Sequence, residues 1–414
     1  MGTGVMIGAA IFALVGQVAE LSGAWFPMAF LGGSIIAGFS SYAYVKMSNA
    51  YPSAGGIGMY LVKAYGKHTV TASSALLMAF AMIINQSLTA RTFGSYTLQL
   101  FDVPQNTIWV PLLGVGLLVI IFLINLTGNK SIQKTSLIMA VIKIGGIIIF
   151  AIGALWAAEF SFGEAVPREL SGDYSISEYL GALALAVLAY AGFTTITNSG
   201  EEIKNPHKNV GRAIIISIGI ATIVYLLVAF AVSSNLSVNN IIQAKDYALA
   251  EAARPSFGNA GLWFTVVIAI IATVSALLGN VFAVSRMTAM LTNMKLIPHS
   301  HLGMPGRVQK HMLVYITAIA IVLTLIFDLT RIASIGIIFY LVMDVIIQWG
   351  VLKNLSNEIN ASKTIIIIAI ILDIIVLGSF LWVKVSSDLL VLLTSAGLIC
   401  FIFVGEKIFL TKIR

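Results

Sequence analysis

Over residues 178–203 the chain reads EYLGALALAVLAYAGFTTITNSGEEI. The first half of this segment is apolar, and about 20 such residues let a helix cross a hydrocarbon core of roughly 30 Å. Small and polar residues then crowd the middle of the segment, and a charged stretch follows from Glu201. The segment therefore predicts a membrane-spanning helix that is interrupted near its centre.

Apolar blocks of similar length extend along the whole chain. Of its 414 residues, 59% are hydrophobic and 10% are charged, whereas a soluble domain carries roughly 25% charged residues. The blocks do not alternate as barrel strands do, and a backbone in lipid must satisfy its own hydrogen bonds. We therefore predict an all-α membrane protein. Twelve spans are expected, at about 2–21, 24–47, 70–97, 107–127, 133–157, 178–203, 210–234, 261–291, 311–330, 332–353, 363–384 and 388–410.

Basic residues are distributed unevenly between the two predicted sides of the membrane. Of the 24 lysines and arginines, sixteen lie on the side of the termini. Five lie on the other side: Arg168, Lys245, Arg254, Arg331 and Lys384. The positive-inside rule then predicts a multi-pass plasma-membrane protein with both termini cytoplasmic. The external loops at about 158–177 and 235–260 are expected to form short interfacial helices.

No residue pattern in the sequence indicates an enzyme or a metal centre. The single cysteine, Cys400, cannot form an intrachain disulfide. We find no Ser/His/Asp set, pair of acids or metal-binding cluster within a span, and the histidines all fall in or beside cytoplasmic loops. Because the net charge of +7 follows from topology, it does not point to nucleic acid. We expect no enzyme activity, cofactor, metal or nucleic acid partner.

The first span resembles the sixth in being interrupted by weak helix formers. Gly2, Gly4 and Gly8 each weaken a helix by about 1 kcal/mol relative to alanine. Glycines can also serve close helix packing. However, paired interruptions at corresponding positions of two repeats point to a transporter site. The free amides of a half-helix attract a carboxylate and the freed carbonyls attract an ammonium, so such a site suits a zwitterion.

Several motifs occur along spans one to eight. They are GVMIGAAIF at 4–12, YPSAGG at 51–56, YAGF at 190–193, EEIKNP at 201–206, SR at 285–286 and LIP at 296–298. In these motifs and their order, the chain resembles the amino acid–polyamine–organocation (APC) superfamily, and within it the proton-coupled, broad-specificity amino acid transporters.

The resemblance implies a 5+5 inverted-repeat fold of the sodium-coupled leucine transporter type, with helices 1 and 6 broken. Residues 1–157 would form the first five-helix repeat and residues 178–353 the second. Residues 363–410 would form two additional transmembrane helices. In members of this family, the cytoplasmic half of the first helix is longer than the few residues that precede the break in this chain. We therefore expect an intact binding site and an incomplete inner gate in the chain as written.

The resemblance also implies which residues bind an amino acid substrate. They are Met6, Gly8, Ala9, Ala10, Leu188, Ala189, Ala191 and Phe193. Amides of residues 8–10 would hold the carboxylate, carbonyls around 188–191 would hold the ammonium, and Leu188 and Phe193 would adjoin the substrate side chain. Many members have an acid where this chain has Thr194, which argues against a cationic substrate. Many members have Gly or Ser-Gly at the positions of Ala9 and Ala10 in this chain. The alanine side chains are expected to narrow the substrate pocket.

Lys143 lies about ten residues into the fifth predicted span. A charge at mid-membrane costs about 2.5–3.5 kcal/mol on insertion scales, and a desolvated lysine can release a proton near neutral pH. In the resemblance, a lysine here stands where sodium-coupled relatives bind sodium, and it marks proton coupling. The alternatives are a tether between spans one and eight and snorkelling to the interface. Expected partners are carbonyls near residues 2–5 and the side chains of Ser275 or Asn280.

Four further ionisable side chains within the predicted spans are considered for a role. Asp344 would lie in the transport core as a candidate for proton transfer. Asp373 would lie outside that core, as a protonated carboxyl or in contact with a neighbouring helix. Arg91 would line the external vestibule or anchor the interface. Arg286 would act as a gate or loop tether to the glutamates at 201–202, which can alternatively cap nearby backbone.

The leading hypothesis is import of neutral amino acids by proton-driven alternating access, with the proton gradient in place of a cofactor. Amino acid exchange, with Lys143 as a fixed charge, is the alternative within transport. A non-transporting amino acid sensor of the same fold is the alternative outside it.

Overall fold

The computed structural model describes residues 4, 6–53, 55–101, 103–104, 107–127, 129–160, 175–198, 200, 203–297 and 307–413. Every regular element within these residues is helical. The helices are α1 (Ala9–Ser22), α2 (Phe26–Ala50), α3 (Gly56–Tyr65), α4 (Thr69–Leu98), α5 (Trp109–Thr127), α6 (Asn129–Ala157), α7 (Ile176–Tyr190), α8 (Phe193–Thr197), α9 (Pro206–Asn235), α10 (Val238–Ala244), α11 (Ala248–Asn293), α12 (Val308–Ile326), α13 (Leu329–Gly350), α14 (Lys363–Ser387) and α15 (Leu389–Ile413).

Eleven helical segments of the described chain are long and apolar enough to cross a membrane. The first, Ala9–Ala50, comprises both α1 and α2, which are joined by a 3-10 turn at Gly23–Trp25. Gly23 has a φ of +53° in that turn, a left-handed conformation that glycine adopts without steric cost. Once this segment is counted as two passes, the segments match the predicted spans. The predicted all-α membrane fold is confirmed.

The connections between spans differ in part from the prediction. The helix α3 lies between the second and third spans, where the sequence predicts only a loop. The eighth span begins early, at Ala248, and bends at Gly258, which has a φ of +58°. The loop at 235–260 contains a short helix, α10, as predicted. Most of the loop at 158–177 lies outside the described residues.

Large apolar side chains face outward on the helical bundle, and several ionisable side chains are buried inside it. Trp156 and Trp382 are 74% and 71% exposed, whereas Lys143, Asp344 and Asp373 are completely buried. In a water-soluble protein these residue types show the opposite distribution. Lipid solvates the apolar outer surface, and partners inside the bundle must satisfy the polar groups. The interior ionisable residues are therefore the candidates for function.

Charged contacts distinguish the two ends of the bundle. At one end, here called the basic end, the ammonium of Lys46 donates to the carbonyl of Asn360 over 2.8 Å. At the opposite end, Lys245 forms an ion pair with Glu20 at 2.5 Å. The basic end is the one that the charge distribution predicts to face the cytoplasm.

Candidate functional site

The first break separates the helical residues Gly4 and Met6 from α1. Gly8, at φ −119° and ψ −134°, leaves the helical conformation, and α1 begins at Ala9 without a cap from any described side chain. The amide of Gly8 donates to the carbonyl of Met6 over 2.9 Å. By helix geometry, Ala9 and Ala10 then carry the first amides that have no intrahelical acceptor. These amides lie at the positive end of the helix dipole, where a carboxylate can bind.

The second break is a turn at residues 191–192, between α7 and α8. The carbonyl of Leu188 accepts the amide of Ala191 over 3.2 Å. The carbonyl of Ala191 accepts both the amide (3.1 Å) and the hydroxyl (2.8 Å) of Thr194. The interruption predicted in the sixth span is therefore confirmed, and its carbonyls leave the regular helical pattern.

The two breaks contact each other. A β-carbon added to Gly192 would stand only 2.7 Å from Cα of Met6, so these backbones meet without room for a side chain. Tyr225, on α9, lies beside both breaks. Its hydroxyl is 2.7 Å from the carbonyl of Met6 and 3.1 Å from the carbonyl of Ala189, and it shares its one proton between them. Tyr225 thus joins the two halves of the predicted site, although sequence reasoning did not identify it.

Apolar side chains surround the second break. Phe193 is completely buried, and its ring meets the ring of Tyr44 edge-on, with centroids 5.2 Å apart. Leu188 is partly buried. A β-carbon on Gly336 would lie 3.9 Å from a methyl of Leu188 and 3.2 Å from a methyl of Ile84. The sixth span is therefore packed against the small Gly336 of α13, which in turn lies close to Ile84 of α4.

Lys143 lies against the first break and is completely buried. Its ammonium donates to the carbonyl of Gly4 and, over 3.2 Å, to the hydroxyl of Ser275 on α11. Two of the predicted partners are thus confirmed, whereas Asn280 donates instead to the carbonyl of Met82 over 3.3 Å. Snorkelling is wrong for this lysine because the ammonium ends inside the bundle. Lys143 links the first, fifth and eighth spans.

A broken-helix pair beside a buried lysine is what the resemblance implies, and the comparison with known families agrees. Residues 1–405 match the family model described as amino acid permease. The chain belongs to the amino acid permease family of the APC superfamily. It is therefore a multi-pass membrane transporter and not an enzyme, and the resemblance to the APC superfamily is confirmed.

Similar proteins come from bacteria and archaea. The permease is 28% identical over 383 residues to the inner membrane transport protein YbaT of Escherichia coli, covering 92% of this chain and 88% of that relative. It is 30% identical over 385 residues to an uncharacterized protein of Methanocaldococcus jannaschii, covering 92% and 86%. An uncharacterized transporter of Mycobacterium tuberculosis is 28% identical over 329 residues, covering 72% and 66%.

The permease has a cavity of about 820 Å³ toward the basic end of the bundle. Arg286 lies in its wall, with its guanidinium 5.2 Å from the centre of the Phe282 ring. The glutamates at 201–202, its predicted partners, lie outside the described residues. The other residues lining the cavity are Ser53, Gly55, Met59, Ala289, Met290, Asn293, Met294, Arg307, Val308 and Gln309.

At the opposite end, the turn after α10 covers the first span. A β-carbon on Gly16 would lie 2.7 Å from the carbonyl carbon of Lys245, so the turn packs directly on α1. The ion pair of Lys245 with Glu20 fastens this contact. Arg91 is partly buried and donates to the carbonyl of Thr324 over 2.9 Å. The turn after α10 thus packs against α1 at this end, where a further cavity of about 580 Å³ lies between the end of α4 and the first part of α11.

Asp344 and Asp373 lie on neighbouring helices, α13 and α14. Asp344 accepts the hydroxyls of Ser40 and, over 2.5 Å, of Tyr44, both on α2. Asp373 accepts the side-chain amide of Gln348 over 2.7 Å. The sequence places Asp344 in the transport core and Asp373 outside it, and a contact of Asp373 with a neighbouring helix is confirmed. Their mutual proximity could not be predicted because they lie on different spans.

Proposed function

We propose that this permease imports neutral amino acids across the plasma membrane by proton-coupled alternating access. The observation that carries the proposal is the contact of the Lys143 ammonium with the carbonyl of Gly4, one turn ahead of the first break. A proton that binds or leaves this amine changes a contact of the first broken helix. A proton can therefore bias the conformation of the same helix that would hold the substrate.

The substrate carboxylate would bind the amides of Gly8, Ala9 and Ala10. The uncapped start of α1 supports this proposal, because its amides need an acceptor. In the structure Gly8 already donates to Met6, so we assign the main interaction to Ala9 and Ala10. The backbone from Met6 to Gly8 would then line the carboxylate site.

The substrate ammonium would bind carbonyls of the second break. The candidates remain those of Leu188, Ala189 and Ala191, each of which accepts one or two hydrogen bonds in this structure. A carbonyl oxygen has two lone pairs, so Leu188 and Ala189 can each accept a further donor. Ala191 would have to exchange a donor from Thr194 for the substrate.

A neutral side chain suits the surroundings of the second break. Thr194 is buried and its hydroxyl donates to the carbonyl of Ala191, so no acid stands at this position to pair with a cationic substrate. Leu188 and Phe193 are apolar. A small neutral amino acid such as alanine would leave no unpaired charge near them.

Alternating access would use the two repeats, residues 1–157 and 178–353, with residues 363–410 as additional helices. Both termini would face the cytoplasm. The contact of Gly192 with Met6 supports joint movement of the two broken helices, because neither can shift without moving the other. The cavity at the basic end would then be the inner route for substrate.

Uptake into proteoliposomes tests the proposal. We expect labelled alanine to accumulate when an inward proton gradient is imposed. Unlabelled alanine should compete, whereas alaninamide, which lacks the carboxylate, and N-acetylalanine, which lacks the ammonium, should not. Accumulation that ignores the gradient but requires amino acid inside the vesicles would instead support exchange. No uptake of any amino acid, with binding retained, would support the sensor.

The contacts of Lys143 give exchange a specific basis as the second candidate. An ammonium held by Gly4 and Ser275 can act as a fixed charge that stabilises the first break without releasing its proton. The Lys143→Ala variant distinguishes the two roles. Loss of gradient dependence with residual exchange supports a coupling role, and loss of all binding supports a structural one.

A further inference from the structure

Two carboxyl groups meet in the interior of the bundle, away from the breaks. Asp344 and Asp373 are both completely buried, and Gln348, one turn after Asp344 on α13, donates to Asp373 over 2.7 Å, so the two carboxyls are neighbours. The proposed substrate site uses neither of them. Two adjacent carboxylates in a medium of low dielectric cannot both be ionised unless a cation lies between them.

The hydrogen bonds differ between the two groups. Both oxygens of Asp344 accept a donor, one from Tyr44 over 2.5 Å and the other from Ser40. One oxygen of Asp373 accepts from Gln348 over 2.7 Å. Its other oxygen, Oδ1, has no donor among the described residues, and neither has the carbonyl oxygen of Gln348. Asp344 therefore has the environment of a carboxylate, and Asp373 has an oxygen that is free to carry a proton.

The titratable groups that face the pair are phenols. Tyr44 approaches from α2 and Tyr340 from α13 itself. Charged groups elsewhere on the packed helices contact other groups in the described structure: Glu20 with Lys245, Lys46 with Asn360, Lys63 with the Tyr51 ring, Arg91 with Thr324, Glu178 with Ser175, Arg331 with Asp388, and Lys384 with the Phe380 ring. Glu406 of α15 is also buried, and its Oε2 has no hydrogen-bond partner among the described residues.

We propose that Asp344 and Asp373 form a second proton-binding site, in which one proton is carried on Oδ1 of Asp373 and donated to the carboxylate of Asp344. The proton occupies the oxygen that otherwise lacks a partner. The remaining negative charge is stabilised by the hydroxyls of Ser40 and Tyr44. A bound metal cation between the carboxyls is the competing occupant.

The site is connected to the sixth span through one side chain. Tyr44 donates to Asp344 and its ring packs edge-on against Phe193, the first residue of α8, at 5.2 Å. Loss of the proton would place two negative charges side by side and disturb the contact of α2 with α13 and α14. The proton therefore stabilises the packing behind the second break. This inference does not depend on the proposed function or on Lys143.

Infrared spectroscopy of the whole protein in lipid nanodiscs tests the site directly. A protonated carboxyl has a C=O stretching band that is separate from carboxylate bands and shifts in D2O. We expect such a band at neutral pH, and we expect Asp373→Asn to remove it and Asp344→Asn to shift its frequency. Glu406→Gln is the matched control, because it removes another buried carboxyl and should leave the band of the pair unchanged.

The outcome is decided by these spectra without any transport measurement. A band that persists in Asp373→Asn, or carboxylate bands that change when sodium or potassium is added to the wild-type protein, would overturn the proposal. If the aspartate variants do not fold, Tyr44→Phe serves instead. It removes one donor to Asp344 and should shift the frequency of the band, and an unshifted band would equally overturn the proposal.

Discussion

Gly192 lies directly against the backbone of Met6, so the breaks of the first and sixth spans touch each other. A β-carbon at position 192 would stand 2.7 Å from Cα of Met6 and 3.2 Å from its nitrogen. Real β-carbons do not approach a backbone so closely, and a side chain here would separate the breaks. The proposed carboxylate and ammonium sites are therefore held next to each other by the absence of a side chain.

Replacing this glycine should damage transport through geometry. We expect Gly192→Ala to reduce alanine uptake about tenfold or more, because overpacking a tight contact costs about 1–3 kcal/mol. The measurement is initial uptake into proteoliposomes at matched protein content. Gly378→Ala on α14 is the control, since a β-carbon there meets no described atom within 4 Å. Wild-type uptake by the Gly192 variant would show that the breaks need not touch.

Removing the hydroxyl of Tyr225 should weaken the connection between the two breaks. Tyr225→Phe keeps the ring but leaves the carbonyls of Met6 and Ala189 without this donor, and an unsatisfied buried group costs about 1–3 kcal/mol. We expect lower thermal stability and weaker alanine binding. Tyr65→Phe is the matched control, because Tyr65 also donates to a backbone carbonyl, that of Ile346 at 2.6 Å, but away from the breaks. Equal losses of alanine binding in both variants would contradict a special role for Tyr225.

The fold was predictable because its main signal is local. Apolar runs such as that at 363–387 and interruptions such as that at 191–192 require only neighbouring residues to be recognised. The helix α3 escaped prediction because its glycines and short length resemble a loop. Its packing in the bundle, for example Tyr65 against α13, supplies the stability that its sequence does not suggest.

The site was predictable only in part, for the same reason. The breaks and Lys143 are visible as exceptions within apolar segments, and Ser275 was among the expected partners. Tyr225 is one tyrosine in an apolar span, and nothing near it in sequence indicates that it reaches both breaks. Likewise, Asp344 and Asp373 are separated along the chain, and only the packing of α13 on α14 brings them together.

The ion pair between Arg331, in the first turn of α13, and Asp388, between α14 and α15, should make the thermal stability of the protein depend on pH. The hydrogen bond from Arg331, 2.8 Å from the carboxyl, holds the pKa of Asp388 below its ordinary value. A lowered folded-state pKa contributes stability that is present above the unfolded value of about 3.9 and is lost as the pH falls through the folded value. We expect wild-type melting temperature to fall more below about pH 4 than that of Asp388→Asn.

Thermal melting in detergent between neutral and acidic pH measures this difference. Arg331→Gln should reduce the acid dependence in the same way, because it removes the partner of the same carboxyl. High salt should reduce the difference, since the side chain of Arg331 is 40% exposed. Identical acid dependence in wild type and both variants would show that the pair contributes nothing to stability.

In the proposed mechanism, the proton at Lys143 enters together with the amino acid. A pH-sensitive dye inside proteoliposomes measures it when alanine is added outside. We expect wild-type protein and the buried-lysine control Lys384→Ala to acidify the lumen, and we expect Lys143→Ala not to do so. Alanine entry without acidification in the wild type, or equal acidification by Lys143→Ala, would contradict it.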